Sequence, residues 1–409
     1  MTARRSTPHT NRVNPDRVIA AVAGVAESWM RGEWPGQPEL ISRIAGTSGF
    51  SLEVVQAGLA AHFGVMSAQE LRRWLGPTSG PPSGGGRVAV LPASNIPGVG
   101  LLPTMAALLV GARVLLKTSI AEPHLMPAWR DRLATFDTDL GELVEVEEWV
   151  GGEDPREARL LADIDRIVVL GADSTIEDLS SRYGGRPGGA GSGKRILGLG
   201  TGASVAVVGG GSDLAGAARR LARDVAIWDQ QGCLSPQGIA VIGTARDRLD
   251  LMEQLAIALA ATEVELPAGR LSVPEAARLR GFRAELLARR VAGEALEWRE
   301  APPTGGTGVA RWLVWADEET RFEPAPARRH VLVRSAPSIE AFVARGLPSP
   351  EHRQAVGLEE SDPDRLKYAE ALRAAGVPYI AALGSMQAPS VDWPNKGHDL
   401  LAELKGINR

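Results

Sequence analysis

The sequence predicts an α/β protein built on parallel sheets. Residues 87–91 form a short apolar run, residues 101–109 are uncharged with a helical pattern, and residues 113–116 are apolar again. A strand, a helix and a strand at this spacing describe a βαβ crossover, the connection that joins parallel strands. Two further runs, 165–170 and 203–208, end beside glycine, and near-continuous apolar runs are typical of strands buried on both faces.

The remaining patterns give the order of the parts. A polar stretch at 1–17 predicts a loose tail, helical periodicity covers 14–76, and a Pro- and Gly-rich break follows at 80–86. Beyond the strand at 203–208 we expect a helix at 213–227, a strand at 238–242, and helices at 246–261 and 272–290, which together indicate a second α/β layer. The predicted parts are a tail with a helical lead-in (1–85), a first α/β domain (86–228), a second α/β domain (229–380), and a C-terminal segment that packs back on the first domain (381–409).

Composition narrows the classes of function. The chain has 409 residues, 23% of them charged, and a net charge of -4. This small charge, with no long basic run, argues against nucleic acid or an anionic membrane as the primary partner. We expect no metal site, because the six histidines show no metal-binding spacing and there is one cysteine. The N-terminus lacks the apolar core of a signal peptide and no run is long enough to span a bilayer, so a cytoplasmic setting without membrane insertion is expected.

Two glycine-rich segments resemble nucleotide motifs. Residues Gly188 to Lys194 match GxxxxGK, but Arg195 stands where a phosphate-binding loop needs Ser or Thr, and a strand rather than a helix follows. Gly209 to Gly211 follow a strand but lack the GxGxxG spacing, and Ser212 with Asp213 makes an adequate helix cap. We interpret both segments as structural.

The single cysteine, Cys233, is a candidate nucleophile. It lies between the predicted helix at 213–227 and the strand at 238–242, flanked by Gly232 and polar amides. Inert structural thiols usually lie inside apolar runs, so this position favours chemistry, although a lone cysteine can also be a simple buried side chain. His398, beside Asp399, is either a base or part of a surface turn.

Four segments together resemble the aldehyde dehydrogenase superfamily, and within it the LuxC-type fatty acyl reductases. These segments are residues 91–97 (LPASNIP), 114–119 (VLLKTS), 230–237 (QQGCLSPQ) and 383–386 (LGSM). The resemblance implies an aldehyde dehydrogenase-like fold with two Rossmann-like domains and a helical N-terminal region. It assigns residues 86–228 to NAD(P) binding and residues 229–380 to catalysis.

The resemblance also implies roles for individual residues. Cys233 would attack an acyl thioester to give a covalent S-acyl enzyme, which hydride from a reduced nicotinamide would convert to the aldehyde. Asn95 would donate its side-chain amide to the developing oxyanion together with the backbone N–H of Cys233. On the residues alone, a turn before Pro97 is the alternative role for Asn95, and its position after a strand makes that alternative the weaker one.

The implied cofactor site lies in the first domain. Lys117 would bind the adenosine ribose, with Thr118 and Ser119 beside it, and Ile120 stands where NAD-preferring relatives place an acid. We therefore expect NADPH, with NADH possible. Gly171 and Ser174 would form the turn over the cofactor diphosphate. Glu323 is a candidate for holding the nicotinamide ribose.

One departure from the superfamily bears on the reaction. Hydrolytic aldehyde dehydrogenases carry a glutamate that activates water, and the matching stretch here, residues 198–203, has no acid. Without that base, the S-acyl intermediate would resist water, which favours thioester reduction over aldehyde oxidation. Two alternatives stay open: an acyl-phosphate reductase similar to glutamyl phosphate reductase, and a non-catalytic scaffold in an acyl-transferring complex. The expected partners are acyl-CoA, an acyl carrier or an acyl-protein synthetase, and at least a homodimer is expected.

Overall fold

The computed structural model describes residues 13–77, 86–152, 155–185, 193–303 and 308–405, and it contains two sheets that are almost entirely parallel. The predicted α/β class with a helical N-terminal region is confirmed. Four helices precede the first strand: α1 (Pro15–Met30), α2 (Gln37–Ser48), α3 (Leu52–Gly64) and α4 (Ala68–Leu75). The first begins at Pro15, inside the stretch predicted as a tail, because the Asn14 side chain caps it by accepting from Asp16 N.

A five-stranded, wholly parallel sheet forms the first layer. Its strands are β1 (Arg87–Leu91), β2 (Arg113–Thr118), β3 (Val144–Glu148), β4 (Arg166–Leu170) and β5 (Arg195–Leu199). They lie in the order β3-β2-β1-β4-β5. The strands β2 and β3 are therefore added on one side of β1, and β4 and β5 are added on its other side, so the order of addition reverses between β1 and β4. Its helices are α5 (Leu101–Leu109), α6 (Leu125–Phe136), α7 (Thr138–Glu142), α8 (Pro155–Leu160) and α9 (Asp173–Tyr183). Gly111, at φ 80°, makes the left-handed turn that lets β2 follow α5 directly.

A seven-stranded sheet forms the second layer. Its strands are β6 (Ala203–Gly209), β7 (Pro236–Ile242), β8 (Glu297–Glu300), β9 (Leu313–Ala316), β10 (His330–Ala336), β11 (Arg353–Leu358) and β12 (Tyr379–Ala382). Their order is β12-β11-β6-β7-β10-β9-β8, and only the pair β8–β9 is antiparallel. The helices of this part are α10 (Leu214–Ala226), α11 (Ala245–Glu265), α12 (Val273–Val291), α13 (Ile339–Arg345), α14 (Arg365–Ala374) and α15 (Leu400–Lys405).

The chain passes from one sheet to the other between Leu199 and Ala203. The predicted boundary at residue 228 lies later, since β6 pairs with β7 and β11 in the second sheet. The chain then returns near its end: Leu400, Leu401 and Leu404 of α15 join the apolar core that holds α1 to α6. The second layer is therefore tied to the first at two points far apart in sequence.

The two glycine-rich segments have structural roles wherever they are described. Lys194 immediately precedes β5, and its Nζ donates to the carbonyls of Ala162 and Ile164, while residues 186–192 lie outside the described chain. Asp213 caps α10 by accepting from Gly216 N. None of the described helices is long and apolar enough to cross a membrane.

Candidate active site

Cys233 lies in a segment with unusual backbone geometry, which we call the nucleophile loop (residues 227–235). After α10 ends at Ala226, Trp228, Asp229 and Gln230 all have positive φ, at 61°, 48° and 61°. The left-handed region is unfavourable for residues other than glycine, and each such residue costs on the order of 1–3 kcal/mol unless its surroundings hold it. Cys233 is therefore carried on backbone that the rest of the fold has to keep in place.

A second left-handed turn supplies that support. Ala327, Arg328 and Arg329 also have positive φ, and Arg328 N donates to Asp229 O at 3.1 Å. The guanidinium of Arg329, 1% exposed, lies 2.6 Å from Asp229 Oδ1 and also donates to the carbonyl of Ala226. A buried ion pair therefore joins the two turns, and we call this pair the Asp229–Arg329 clasp. Trp228 is fully buried and packs against α3. Gly58 of α3 has no side chain, which leaves the space that the Trp228 ring occupies.

The thiol of Cys233 sits in apolar surroundings. Leu234, Trp393 and Leu102 pack with it in one cluster. Burial raises the pKa of the Cys233 thiol to about 11, because an apolar environment disfavours the thiolate. Backbone N–H groups at residues 233 and 234 and the charge of Lys396 act in the opposite direction. In the ligand-free protein the thiol is therefore protonated at neutral pH.

Polar groups from the C-terminal half approach the thiol. Gln354 Nε2 lies 3.8 Å from Cys233 Sγ and donates to Asn395 Oδ1 at 2.8 Å. Lys396 donates to Thr201 O at 2.8 Å and to Glu351 O, which holds its charge near the loop. Sequence reasoning missed Gln354, Asn395 and Lys396, because each lies more than 100 positions from Cys233 and none stands in a recognisable motif.

The loop after β12 brings a further amide to the site. Gln387 is buried, and its Oε1 lies near Gly232, where an added Cβ would be 2.8 Å away. The preceding backbone is fixed by Asp224, whose carboxylate accepts from Gly384 N at 2.6 Å and Met386 N at 3.0 Å. Burial raises the pKa of Asp224 to about 7, although both hydrogen bonds work against this.

The structure brings Asn95 to the nucleophile loop, as the sequence predicts. Its side chain follows β1 and Nδ2 donates to Gln231 O at 2.8 Å, two positions before Cys233. An amide nitrogen carries two hydrogens, so the second N–H remains for another acceptor. Asn95 can therefore support the loop and donate to a bound group at the same time.

A cavity of about 120 Å³ opens at Cys233 between both layers of the protein. Its wall is mostly apolar and includes Met66, Ile96, Leu102, Leu170, Val391 and Trp393. Among the described residues that line it, none is acidic. The cavity can therefore shelter an apolar group bonded to the thiol, and its wall offers no carboxylate to activate water there.

The carboxyl edge of the first sheet meets this cavity. Leu170, the last residue of β4, lines it, and Gly171 follows with its N–H donating to Leu199 O at 3.3 Å. Ser174 is exposed in the first turn of α9. The reversal between β1 and β4 is the place where ligands bind in open α/β sheets. Further along this edge, Lys117 Nζ lies 5.6 Å from the ring centre of Trp149, and burial lowers the pKa of Lys117.

The remaining predicted residues have the following positions. Thr118 is buried and its hydroxyl donates to Glu147 O at 3.5 Å, whereas Ser119 Oγ accepts from Glu122 N at 3.0 Å and keeps its own O–H for another acceptor. Glu323 lies 3.3 Å from Arg334 in a separate cavity that does not include Cys233. His398 pairs with Glu403 at 3.3 Å in a surface turn.

The fold places the protein among the aldehyde dehydrogenase-like proteins. It is similar to aldehyde dehydrogenase 21 of Physcomitrella patens, solved with succinate, at 14% identity and a TM-score of 0.71, covering 98% of this chain and 85% of that one. It is also similar to an indole-3-acetaldehyde dehydrogenase of P. syringae, solved with NAD+, at 16% identity and a TM-score of 0.68, covering 91% and 77%. At these identities the likeness concerns the fold.

The family follows from the sequence match. Residues 82–407 match the family model described as acyl-CoA reductase (LuxC), and the chain belongs to that family. A relative from Photobacterium leiognathi, long-chain acyl-protein thioester reductase 2, is 28% identical over 198 residues. That match spans 47% of this chain and 39% of the relative's length.

Proposed function

We propose that this protein reduces the acyl group of a thioester to an aldehyde through a covalent adduct on Cys233, with NADPH as the hydride donor. The observation that carries the proposal is the position of Cys233, held at an apolar cavity that adjoins the carboxyl edge of the first sheet. The family's description as acyl-CoA reductase and the relative's name as an acyl-protein thioester reductase support this reaction class. Among the described residues, no feature favours an acyl phosphate or a purely structural role.

The residues of the site have the following roles in this proposal. The Cys233 thiolate attacks the thioester carbonyl, and the tetrahedral oxyanion receives hydrogen bonds from the backbone N–H of Cys233 and from the second N–H of Asn95. Gln354 donates to the sulfur and Lys396 adds positive charge nearby, which offsets part of the unfavourable burial of the thiolate. The tetrahedral intermediate then collapses: the carbonyl re-forms, the C–S bond to the donor breaks, and the acyl group remains on the sulfur of Cys233. The donor leaves as a thiolate and takes up one proton from solvent, which balances the proton that Cys233 loses when it forms the attacking thiolate.

The residues at the edge of the first sheet fit a nicotinamide cofactor. Lys117 would hold the adenosine ribose, and the open turn at Gly171 and Ser174 would hold the diphosphate, since a Cβ added at Gly171 would meet nothing closer than 4.0 Å. When bound, the reduced cofactor supplies hydride to the acyl carbon. The sheltered cavity keeps water from the S-acyl group, and the same oxyanion donors stabilise the hemithioacetal before it releases aldehyde and Cys233 thiolate.

Choice of cofactor rests on fewer contacts than the sequence suggested. Ile120, 71% exposed, presents no acid to a 2′-phosphate, which leaves NADPH favoured and NADH possible. Thr118 already donates to Glu147 O, so Lys117 and the hydroxyl of Ser119 are the groups that would meet the phosphate. The proposed cofactor site does not include Glu323, because Glu323 contacts Arg334 in another cavity.

The test is intact mass after incubation with acyl-CoAs of several chain lengths, without NADPH, for wild type and Cys233→Ala. We expect an adduct of one acyl group in wild type, none in the variant, and discharge as aldehyde on addition of NADPH. Labelling from an acyl carrier or acyl-protein synthetase but not from CoA would identify a protein donor. An adduct that forms equally in Cys233→Ala, or NADPH-dependent activity in that variant, would overturn the proposal.

Size-exclusion chromatography with light scattering tests the expected homo-oligomer.

A further inference from the structure

A histidine from the N-terminal helices stands in the wall of the Cys233 cavity. His62 lies in the last turn of α3, and Val65 and Met66 follow it in the same wall. The family match begins at residue 82, so this part of the wall comes from outside the matched segment. The side chains around His62 are mostly apolar, which makes an imidazole there exceptional.

The ring of His62 is held in one place. It packs against Trp228 of the nucleophile loop, with the ring centres 5.6 Å apart. On another side it meets Gly98, where an added Cβ would lie 2.6 Å from His62 Nδ1. Gly98 has a φ of 86°, a conformation that suits glycine, so the backbone there is fixed close to the ring. The imidazole is therefore a rigid part of the wall.

The hydrogen-bonding capacity of this ring is unused. His62 is half-buried, and its Nδ1 is buried without a hydrogen-bond partner among the described residues. Burial lowers the pKa of His62 to about 4, so the ring is neutral at physiological pH and offers one donor and one acceptor. Buried polar groups usually have partners, and one left without a partner beside a nucleophile calls for a ligand that supplies it.

We propose that His62 is a specificity residue that hydrogen-bonds an oxygen on the acyl chain, so that the preferred substrates are acyl thioesters carrying a hydroxyl or oxo group. This inference rests on the proposed function, because it assumes that the acyl group enters the cavity from Cys233. An oxygen on the chain would complete the bonding of the ring, whereas a plain alkyl chain would leave it unpaired. A site built to bond a substrate oxygen discriminates against the analogue that lacks it.

The experiment compares hexanoyl-CoA with its positional hydroxy isomers by kcat/KM. For wild type we expect at least one hydroxy isomer to exceed hexanoyl-CoA by roughly three- to tenfold, the range of one neutral hydrogen bond. His62→Leu should abolish that preference and improve use of hexanoyl-CoA, while His62→Gln should keep part of it. Met66→Leu, a neighbouring change in the same wall, should leave the ratio between the two substrates unaltered.

The outcomes separate this inference from the function on which it rests. If Cys233 is acylated but His62→Leu changes both substrates equally, or wild type shows no preference for any hydroxy isomer, the role of His62 is refuted and the reductase proposal stands. If no acyl-CoA or acyl-protein labels Cys233, both are refuted. Thermal melting of each variant separates loss of selectivity from loss of fold, and His62→Gln provides the polar replacement if His62→Leu fails to fold.

Discussion

Removing Arg329 tests whether the Asp229–Arg329 clasp holds the nucleophile loop. The Arg329→Gln change leaves Asp229, 2% exposed, without its 2.6 Å ionic partner. Breaking a buried pair by deleting one partner costs about 3–5 kcal/mol, because a charge stays buried without compensation. The same change removes the hydrogen bond to Ala226 O. The three left-handed residues before Cys233 would then lose part of the support that offsets their strain, while the hydrogen bond from Arg328 N to Asp229 O remains.

The assay combines urea unfolding, followed by tryptophan fluorescence, with the rate of Cys233 acylation measured by intact mass. We expect the free energy of unfolding to fall by about 3–5 kcal/mol and acylation to slow in the molecules that remain folded. The matched control is Arg283→Gln, whose partner Glu300 lies 2.6 Å away but whose side chain is 47% exposed, so the loss there should stay below about 1 kcal/mol.

A double variant shows whether the cost comes from the unpaired carboxylate. Asp229→Asn combined with Arg329→Gln should be more stable than Arg329→Gln alone, since no buried charge is left without a partner. Equal losses for Arg329→Gln and Arg283→Gln, or strictly additive effects in the double variant, would refute the reasoning.

Three further predictions concern titration and the thiol. Because the pKa of Cys233 is raised to about 11, alkylation of the ligand-free protein by iodoacetamide should rise about tenfold per pH unit from 7 to 10, whereas a plateau near pH 9 would indicate an ordinary thiol. Gln354→Leu should slow alkylation at pH 8 by about tenfold, the worth of one hydrogen bond to a thiolate, and a rate equal to wild type would exclude that bond. The pKa of Asp224 is raised to about 7 in the folded protein, so the folded state binds more protons between pH 4 and 7, and the free energy of unfolding should fall as pH rises through that window. Urea unfolding at pH 5 and pH 8 should show this fall in wild type and a smaller one in Asp224→Asn.

The sequence was informative where one element determines its own structure. Apolar runs located β1, β2, β4, β6 and β7, and the junction position of Cys233 indicated the nucleophile loop. Asn95 lies beside that loop, because the carboxyl end of β1 is where a loop residue can reach across to the second layer, and its role as an oxyanion donor stays a prediction. These features depend on local periodicity and on turn residues, which a single sequence displays.

What the sequence could not show depends on distant contacts and on strand faces. Lys117 and Thr118 are consecutive in β2, so their side chains leave opposite faces of the strand, and Thr118 is buried whereas Lys117 is partly exposed. The left-handed conformation of Trp228 has no glycine to signal it and exists because of a turn 100 residues later. Gln354 and Asn395 reach Cys233 only through the pairing of β11 with β6 and the return of the C-terminal segment.

The packing of the C-terminal segment on the first layer has a consequence for folding during translation. The cavity wall combines Met66, near the start of the chain, with Val391 and Leu400, near the end of the described residues. During translation, Cys233 emerges from the ribosome long before the last of these residues, so the nascent thiol has no complete apolar enclosure. The apolar enclosure of Cys233 is therefore complete only after the final helix docks on α5.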